Sequence, residues 1–183
     1  MRLAPLLALL LLATGVHAQT DASVIPDDAP DWRPLAEAVE HAAAGDKVLL
    51  LHGYAKWCGW CSRLDQDVYT DDDVQAYLAD NFELARMDIE NRETVDFFDF
   101  RLPTAWLASG LGITSTPTTI FMDAASGEVI TRLPGYADQE TFLYALRFVR
   151  EGAYAEISFN DWVNEQKEAE AGEDDAPLVP LAE

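Results

Sequence analysis

A chain of 183 residues, 49% hydrophobic and 25% charged, holds enough apolar material for one ordinary domain plus tails. That excludes a small scaffold whose core depends on disulfides. A net charge of -21 argues against nucleic acid and against anionic membrane surfaces, since both would be repelled.

The N-terminus reads as an export signal over residues 1–18. Arg2 supplies the positive start, Leu6 to Ala13 the apolar run, and Val16-His17-Ala18 the small-x-small cleavage site. The run is too short to span a bilayer as a helix. No cysteine follows it to carry a lipid, and no later segment is long and apolar enough to cross a membrane. The expected mature protein has no stable membrane insertion. Residues 19–31, rich in Asp and Pro, read as a flexible lead-in.

The folded domain is expected over residues 32–152. Leu35, Val39 and Ala42 fall at helical spacing and predict a helix over 32–44, ended by Gly45-Asp46. Val48 to Leu51 is a continuous apolar run, as in a strand buried on both faces. A helix is predicted from about residue 59 through Leu64 and Val68. The segment Thr70 to Asp73 resembles an N-cap for a short helix with Val74, Tyr77 and Leu78. Glu83 to Ile89 alternates as a strand. Residues 91–103 have no clear period, although Phe97, Phe98 and Phe100 lie there among charged residues. A short helix over 104–111, a strand over 118–122, a turn at Ala125-Ser126-Gly127, a returning strand from Glu128 to Leu133 and a helix over 138–151 follow. Residues 153–165 read as an extension packing on the domain, and 166–183 as an acidic disordered tail. A βαβ unit, a hairpin and a covering helix make an α/β fold, a three-layer α/β/α sandwich around a mixed sheet.

Both cysteines sit in one motif, Cys58-Gly59-Trp60-Cys61. A bridge between them closes a tiny loop, worth only about 2 kcal/mol of chain entropy against about 4 for a long loop. Reactivity explains the spacing better than stability does. At the first turn of a helix, the offset of three puts both sulfurs on one side. Free backbone N–H groups and the helix dipole then stabilise the first thiolate. Cys58 is therefore the expected exposed nucleophile and Cys61 the buried resolving thiol.

Trp57-Cys58-Gly59-Trp60-Cys61 after an apolar strand resembles the active site of the thioredoxin superfamily. Thr116-Pro117 before Thr118-Thr119-Ile120-Phe121 resembles its cis-proline, and Gly135-Tyr136 its glycine facing the active site. Within the superfamily the chain is similar to exported reducing thioredoxins, both the SoxW-like type and the C-terminal domain of DsbD. The resemblance implies the thioredoxin fold and a periplasmic protein-disulfide reductase. It also implies substrate contacts at Trp57, Gly59, Trp60, Thr116, Pro117 and Gly135. The only redox group implied is the Cys58–Cys61 disulfide, with no metal and no further cofactor. Implied partners are protein disulfides and a membrane thiol-electron donor of the DsbD or CcdA kind. The family's buried Asp, six residues before the first cysteine, is replaced here by His52. A neutral imidazole there is either a proton relay or a core histidine bonded to backbone.

Other readings stay open at this level. An oxidase or isomerase would run the same dithiol in the other direction, although Gly59-Trp60 offers no His to stabilise the thiolate further. A zinc module would need Cys58, Cys61, His41 and His52 to converge. A non-catalytic thioredoxin-fold interaction protein would keep the fold without the activity. Lys56 is expected to add positive potential near Cys58. Phe97, Phe98, Phe100 and Trp106 are either packed under a loop or a docking patch.

Overall fold

A computed structural model describes residues 25–174. The expected signal segment, the start of the lead-in and the last nine residues lie outside the described residues. The elements are α1 (Leu35–Gly45), β1 (Val48–Tyr54), α2 (Gly59–Asp67), α3 (Asp72–Asn81), β2 (Phe82–Asp88), β3 (Thr94–Phe97), β4 (Phe100–Pro103), α4 (Thr104–Gly110), β5 (Thr118–Asp123), β6 (Val129–Pro134), α5 (Gln139–Arg150) and α6 (Phe159–Asp174).

The main sheet runs β2-β1-β5-β6, with β1 parallel to β2 and the other pairs antiparallel. This is the expected mixed sheet. The apolar run of β1 divides between two cores because successive side chains leave a strand on opposite faces. Leu49 and Leu51 join α1 and α4, while Leu50 joins α2, α3, α5 and Trp162 of α6. The three layers follow from that alternation.

Several boundaries come from capping. Asp71 accepts the Asp73 and Val74 N–H groups at the start of α3. Asp138 accepts the Thr141 N–H at the start of α5. The turn at Ala125-Ser126-Gly127 is built on Asp123, whose Oδ1 accepts both the Ala125 and Ser126 N–H groups, with Gly127 at φ +74°.

Three sequence expectations need correction. The first helix starts at Leu35, not at 32, because the Arg33 N–H pairs with the Leu84 carbonyl beside β2 and Pro34 caps the helix. Residues 94–103, which carry no period, form a separate two-stranded hairpin, β3–β4. Its tip holds Phe98 at φ +51°, a left-handed conformation that a sequence rule expects of Gly or Asn. Residues 166–174, expected to be disordered, continue α6. Trp162 anchors that helix, packing on Phe148 and Tyr144. Further along, the Tyr144 hydroxyl donates to Glu170 at 2.9 Å, and Lys167 meets Glu140 at 2.7 Å. Acidic composition does not prevent helix formation once one apolar face is docked.

The lead-in is also engaged at Pro26, Asp28 and Ala29. Pro26 and Ala29 close a turn, and Gln75 donates to the Asp28 carbonyl. Trp32 packs edge-on against Tyr69.

Candidate active site

The strand β1 ends at Tyr54, and α2 begins five residues later, at Gly59. Cys58 is the N-cap of α2, in extended conformation. Its Sγ accepts the Cys61 N–H at 3.1 Å, and its carbonyl accepts from Cys61 and Ser62. The two sulfurs are joined as a disulfide, with Cα atoms 5.2 Å apart. The helix start supplies what a thiolate requires, namely a backbone N–H aimed at the leading sulfur.

Burial corrects one expectation. Cys58 is 4% exposed, so the leading cysteine of the oxidised pair is nearly as covered as Cys61, at 1%. Both pack with Ala55, Tyr54 and Ile89. The exposed surface around them is aromatic instead. Trp57 is 67% exposed, and its Nε1–H donates to Glu90 at 2.9 Å. Trp60 is exposed and tilts against Tyr136, with ring centroids 5.5 Å apart. Gly59 is open to solvent. Lys56 is exposed in a hollow lined also by Asp88, Glu90, Arg92 and Glu93.

The Thr116–Pro117 peptide is cis, at the start of β5. The Gly135 N–H donates to the Pro117 carbonyl at 2.8 Å, tying the end of β6 to this loop. Gly135 has φ +84°, a backbone angle that glycine adopts without penalty. Thr118 donates its hydroxyl to the Ser115 carbonyl.

Beneath α2 lies a polar layer that sequence reasoning missed in large part. His52 of β1 is flanked in register by Arg86 of β2 and Thr119 of β5. Asp65 descends from α2 and pairs with Arg86 at 2.9 Å, with both side chains almost fully buried. The Arg86 guanidinium lies 4.3 Å above the Tyr54 ring. His52 stacks near Tyr54 and meets Tyr69 edge-on. Neither His52 ring nitrogen has a hydrogen-bond partner among the described residues, so it is not a backbone-bonded histidine. Burial, reinforced by Arg86, lowers its pKa to about 3 and keeps it neutral. Burial also raises the Asp65 carboxyl above its ordinary range, with Arg86 opposing. The signal available in the sequence was Asp65 at Cys61 plus four, on the inward stripe of α2.

The aromatic segment divides. Phe97 is buried against α1 and α4, and Phe98 lies over Gly127. Phe100 and Trp106 are exposed. His41 stands exposed on α1 while His52 is inside the sheet, so the four candidate zinc ligands do not meet. Among the described residues, no three His, Cys, Asp or Glu side chains group as metal ligands would.

Residues 35–150 match the profile of the thioredoxin-like domain. The chain belongs to the thioredoxin-like family. It is 33% identical over 146 residues to the thiol:disulfide interchange protein DsbD of Ralstonia nicotianae, a stretch covering 79% of this chain and 22% of that protein. The chain thus spans about a fifth of the length of that curated relative. Among solved structures it is similar to a putative disulphide-isomerase from Bacteroides thetaiotaomicron, with 28% identity and a TM-score of 0.55, covering 72% of this chain and 97% of the other. A thioredoxin from Thermus thermophilus gives 25% identity and a TM-score of 0.56, covering 66% and 87%. The thioredoxin fold read from the sequence therefore stands, with helices on both faces of a mixed sheet. No described helix is long and apolar enough to cross a membrane.

Proposed function

We propose that this thioredoxin-like protein is an exported thiol–disulfide oxidoreductase that reduces protein disulfides in the periplasm. The observation that carries the reading is the Cys58–Cys61 pair at the N-terminus of α2, with the leading sulfur accepting a backbone N–H. The likeness to DsbD supports the direction and the compartment.

In the reduced protein the Cys58 thiolate attacks a substrate disulfide. One substrate sulfur leaves as a thiolate and the other stays bonded to Cys58. Cys61 then loses its proton and attacks the Cys58 sulfur. The second substrate sulfur leaves with the electron pair, and the Cys58–Cys61 disulfide is formed. Substrate gains two electrons and two protons, and the dithiol loses them. The two sulfurs carry the electrons, so no further cofactor is required. A membrane thiol donor of the DsbD or CcdA kind restores the dithiol. Trp57 and Trp60 hold the substrate chain across exposed ring surface. Thr116, Pro117 and Gly135 form the loop along which its extended backbone lies.

The test is trapping. Cys61→Ser expressed in the native compartment accumulates mixed disulfides through Cys58, whereas Cys58→Ser accumulates none. Equilibration with glutathione then fixes the direction. A potential near that of thioredoxin, about -270 mV, supports the reductant; one near -120 mV makes the protein an oxidant and overturns the assignment.

A further inference from the structure

Trp57, Trp60, Phe100 and Trp106 are each 60% exposed or more. The dithiol reading gives work to Trp57 and Trp60. Trp106, at 72% the most exposed of the four, has none in it. On α4, Thr104, Leu107 and Ala108 make the buried stripe at helical spacing, and Trp106 stands off that stripe. A single exposed tryptophan needs no explanation by itself. This one is tied to the reactive pair.

The residues that follow β2 make the tie. Ile89 packs on the cluster of Ala55, Cys58 and Cys61, and its N–H donates to the Tyr54 carbonyl at 2.9 Å. Glu90 accepts the Trp57 indole N–H at 2.9 Å. The Asn91 carbonyl accepts the Ala105 N–H at 2.9 Å, and the Glu93 carbonyl accepts both the N–H and the hydroxyl of Thr104. Neighbouring Cα atoms lie about 3.8 Å apart, so the anchor of Trp57 adjoins the anchor of the turn that carries Trp106. One short loop thus sets the dithiol, Trp57 and the first turn of α4 along a single flank.

The two flanks of the dithiol differ in charge. On the Trp60 side, Asp67, Asp71, Asp72 and Asp138 line the cleft beside Tyr136. On the Trp57 side, the hollow holds Lys56 and Arg92 as well as Asp88, Glu90 and Glu93. A wholly acidic flank favours cationic residues at long range. A flank of mixed sign with two exposed indoles favours apolar residues by contact.

Resting on the dithiol reading above, we propose that Trp106 extends the surface begun by Trp57 into a docking flank for protein substrates that carry a large apolar residue beside their reducible cysteine. The flank is continuous with the reacting sulfur, since Trp57 is the chain neighbour of Cys58. Trp106 determines which substrates are held and takes no part in the exchange of sulfurs. The bonds to Glu90 and Asn91 fix both elements before substrate arrives, so little ordering is lost on binding.

The test uses the reduced full-length protein and two symmetric peptide disulfides, one with leucine and one with serine on both sides of its cysteine. Flanking both sides makes the readout independent of the direction in which the peptide lies. Rates come from acid quench and chromatography of the peptide thiol. The wild type is expected to reduce the leucine peptide about tenfold faster, the factor that burial of most of one leucine side chain supplies. Trp106→Ala is expected to bring that ratio to about twofold or less, and Trp106→Phe to keep most of it. Phe100→Ala is the control for general apolar adhesion. Phe100 sits at the hairpin tip, about 10 Å along β4 from the base that adjoins the loop, and its variant is expected to keep the wild-type ratio. A ratio near one in the wild type, a ratio unchanged in Trp106→Ala, or an equal fall in Phe100→Ala overturns the inference. So does self-association in sedimentation that Trp106→Ala abolishes, since a second copy would then cover the flank. Each of these leaves the dithiol reading standing. If the wild type reduces neither peptide, the dithiol reading itself fails and takes this inference with it, which is a distinct result.

Discussion

At the scale of single residues, the reactive pair was legible and its support was not. C-x-x-C spacing after an apolar strand fixes two sulfurs at a helix start, because three residues of helix nearly complete a turn. Asp65 and Arg86 are charged residues that sequence reading places at the surface; the docking of α2 onto β1 and β2 turns them inward. His52 has a consequence for stability. Its folded pKa of about 3 lies below the unfolded value of 6.5, so between those values the unfolded chain binds a proton that the folded protein refuses. Its contribution is intact above pH 6.5 and is lost as pH falls toward 3. Between pH 7 and pH 5 the loss is about 2 kcal/mol. Asp65 works in the opposite direction, because a raised carboxyl pKa favours folding at lower pH. Urea midpoints at pH 7 and pH 5 are expected to show a smaller drop for His52→Leu than for wild type. An equal drop would show that the ring binds a proton alike in the folded and unfolded states, against the lowered pKa.

At the scale of elements, hydrophobic period located β1, α3, β2, β5, β6 and α5 to within a few residues. It failed at β3–β4, whose short strands carry Asp96 and Arg101 on an exposed face and whose tip depends on a left-handed phenylalanine. The close approach of β1 to the loop before β5 was equally invisible. A Cβ placed on Gly53 would lie 2.7 Å from Ile113 Cδ1 and 3.3 Å from the Thr118 carbonyl oxygen. Gly53→Ala is therefore expected to cost about 1–3 kcal/mol by overpacking. Chemical denaturation should detect it. Adding Ile113→Val removes the nearest atom and is expected to recover part of the loss. Full stability in Gly53→Ala alone would mean that the strand has slack there.

At the scale of the whole molecule, charge is the dominant property. The formal -21 is read directly from the residues, but its distribution is not. Asp67, Asp71, Asp72 and Asp138 line one cleft together with Tyr136, whose ring tilts against Trp60 beside the dithiol. A cationic disulfide should reach Cys58 faster than an anionic one. The expected ratio of reduction rates for cystamine over dithiodiglycolate is above one in dilute buffer. It should fall toward the intrinsic ratio in 1 M salt, where the screening length shrinks from about 10 Å to about 3 Å. A ratio unaffected by salt would mean that the field does not steer access.

The sequence by itself determined the family, the alternation that buries β1 on both faces, and the two sulfurs that face each other across one helical turn. These are local consequences of chain geometry, fixed by spacing of two, three or four residues. Tertiary structure alone decided what lies behind those sulfurs. Asp65, Arg86, His52 and Trp32 come from a helix, two strands and the segment before α1, far apart along the chain. They meet only because packing the sheet against α2 leaves them a common interior. It also decided the fate of residues 166–174, since docking of Trp162 supplies the apolar contact that composition gave no reason to expect.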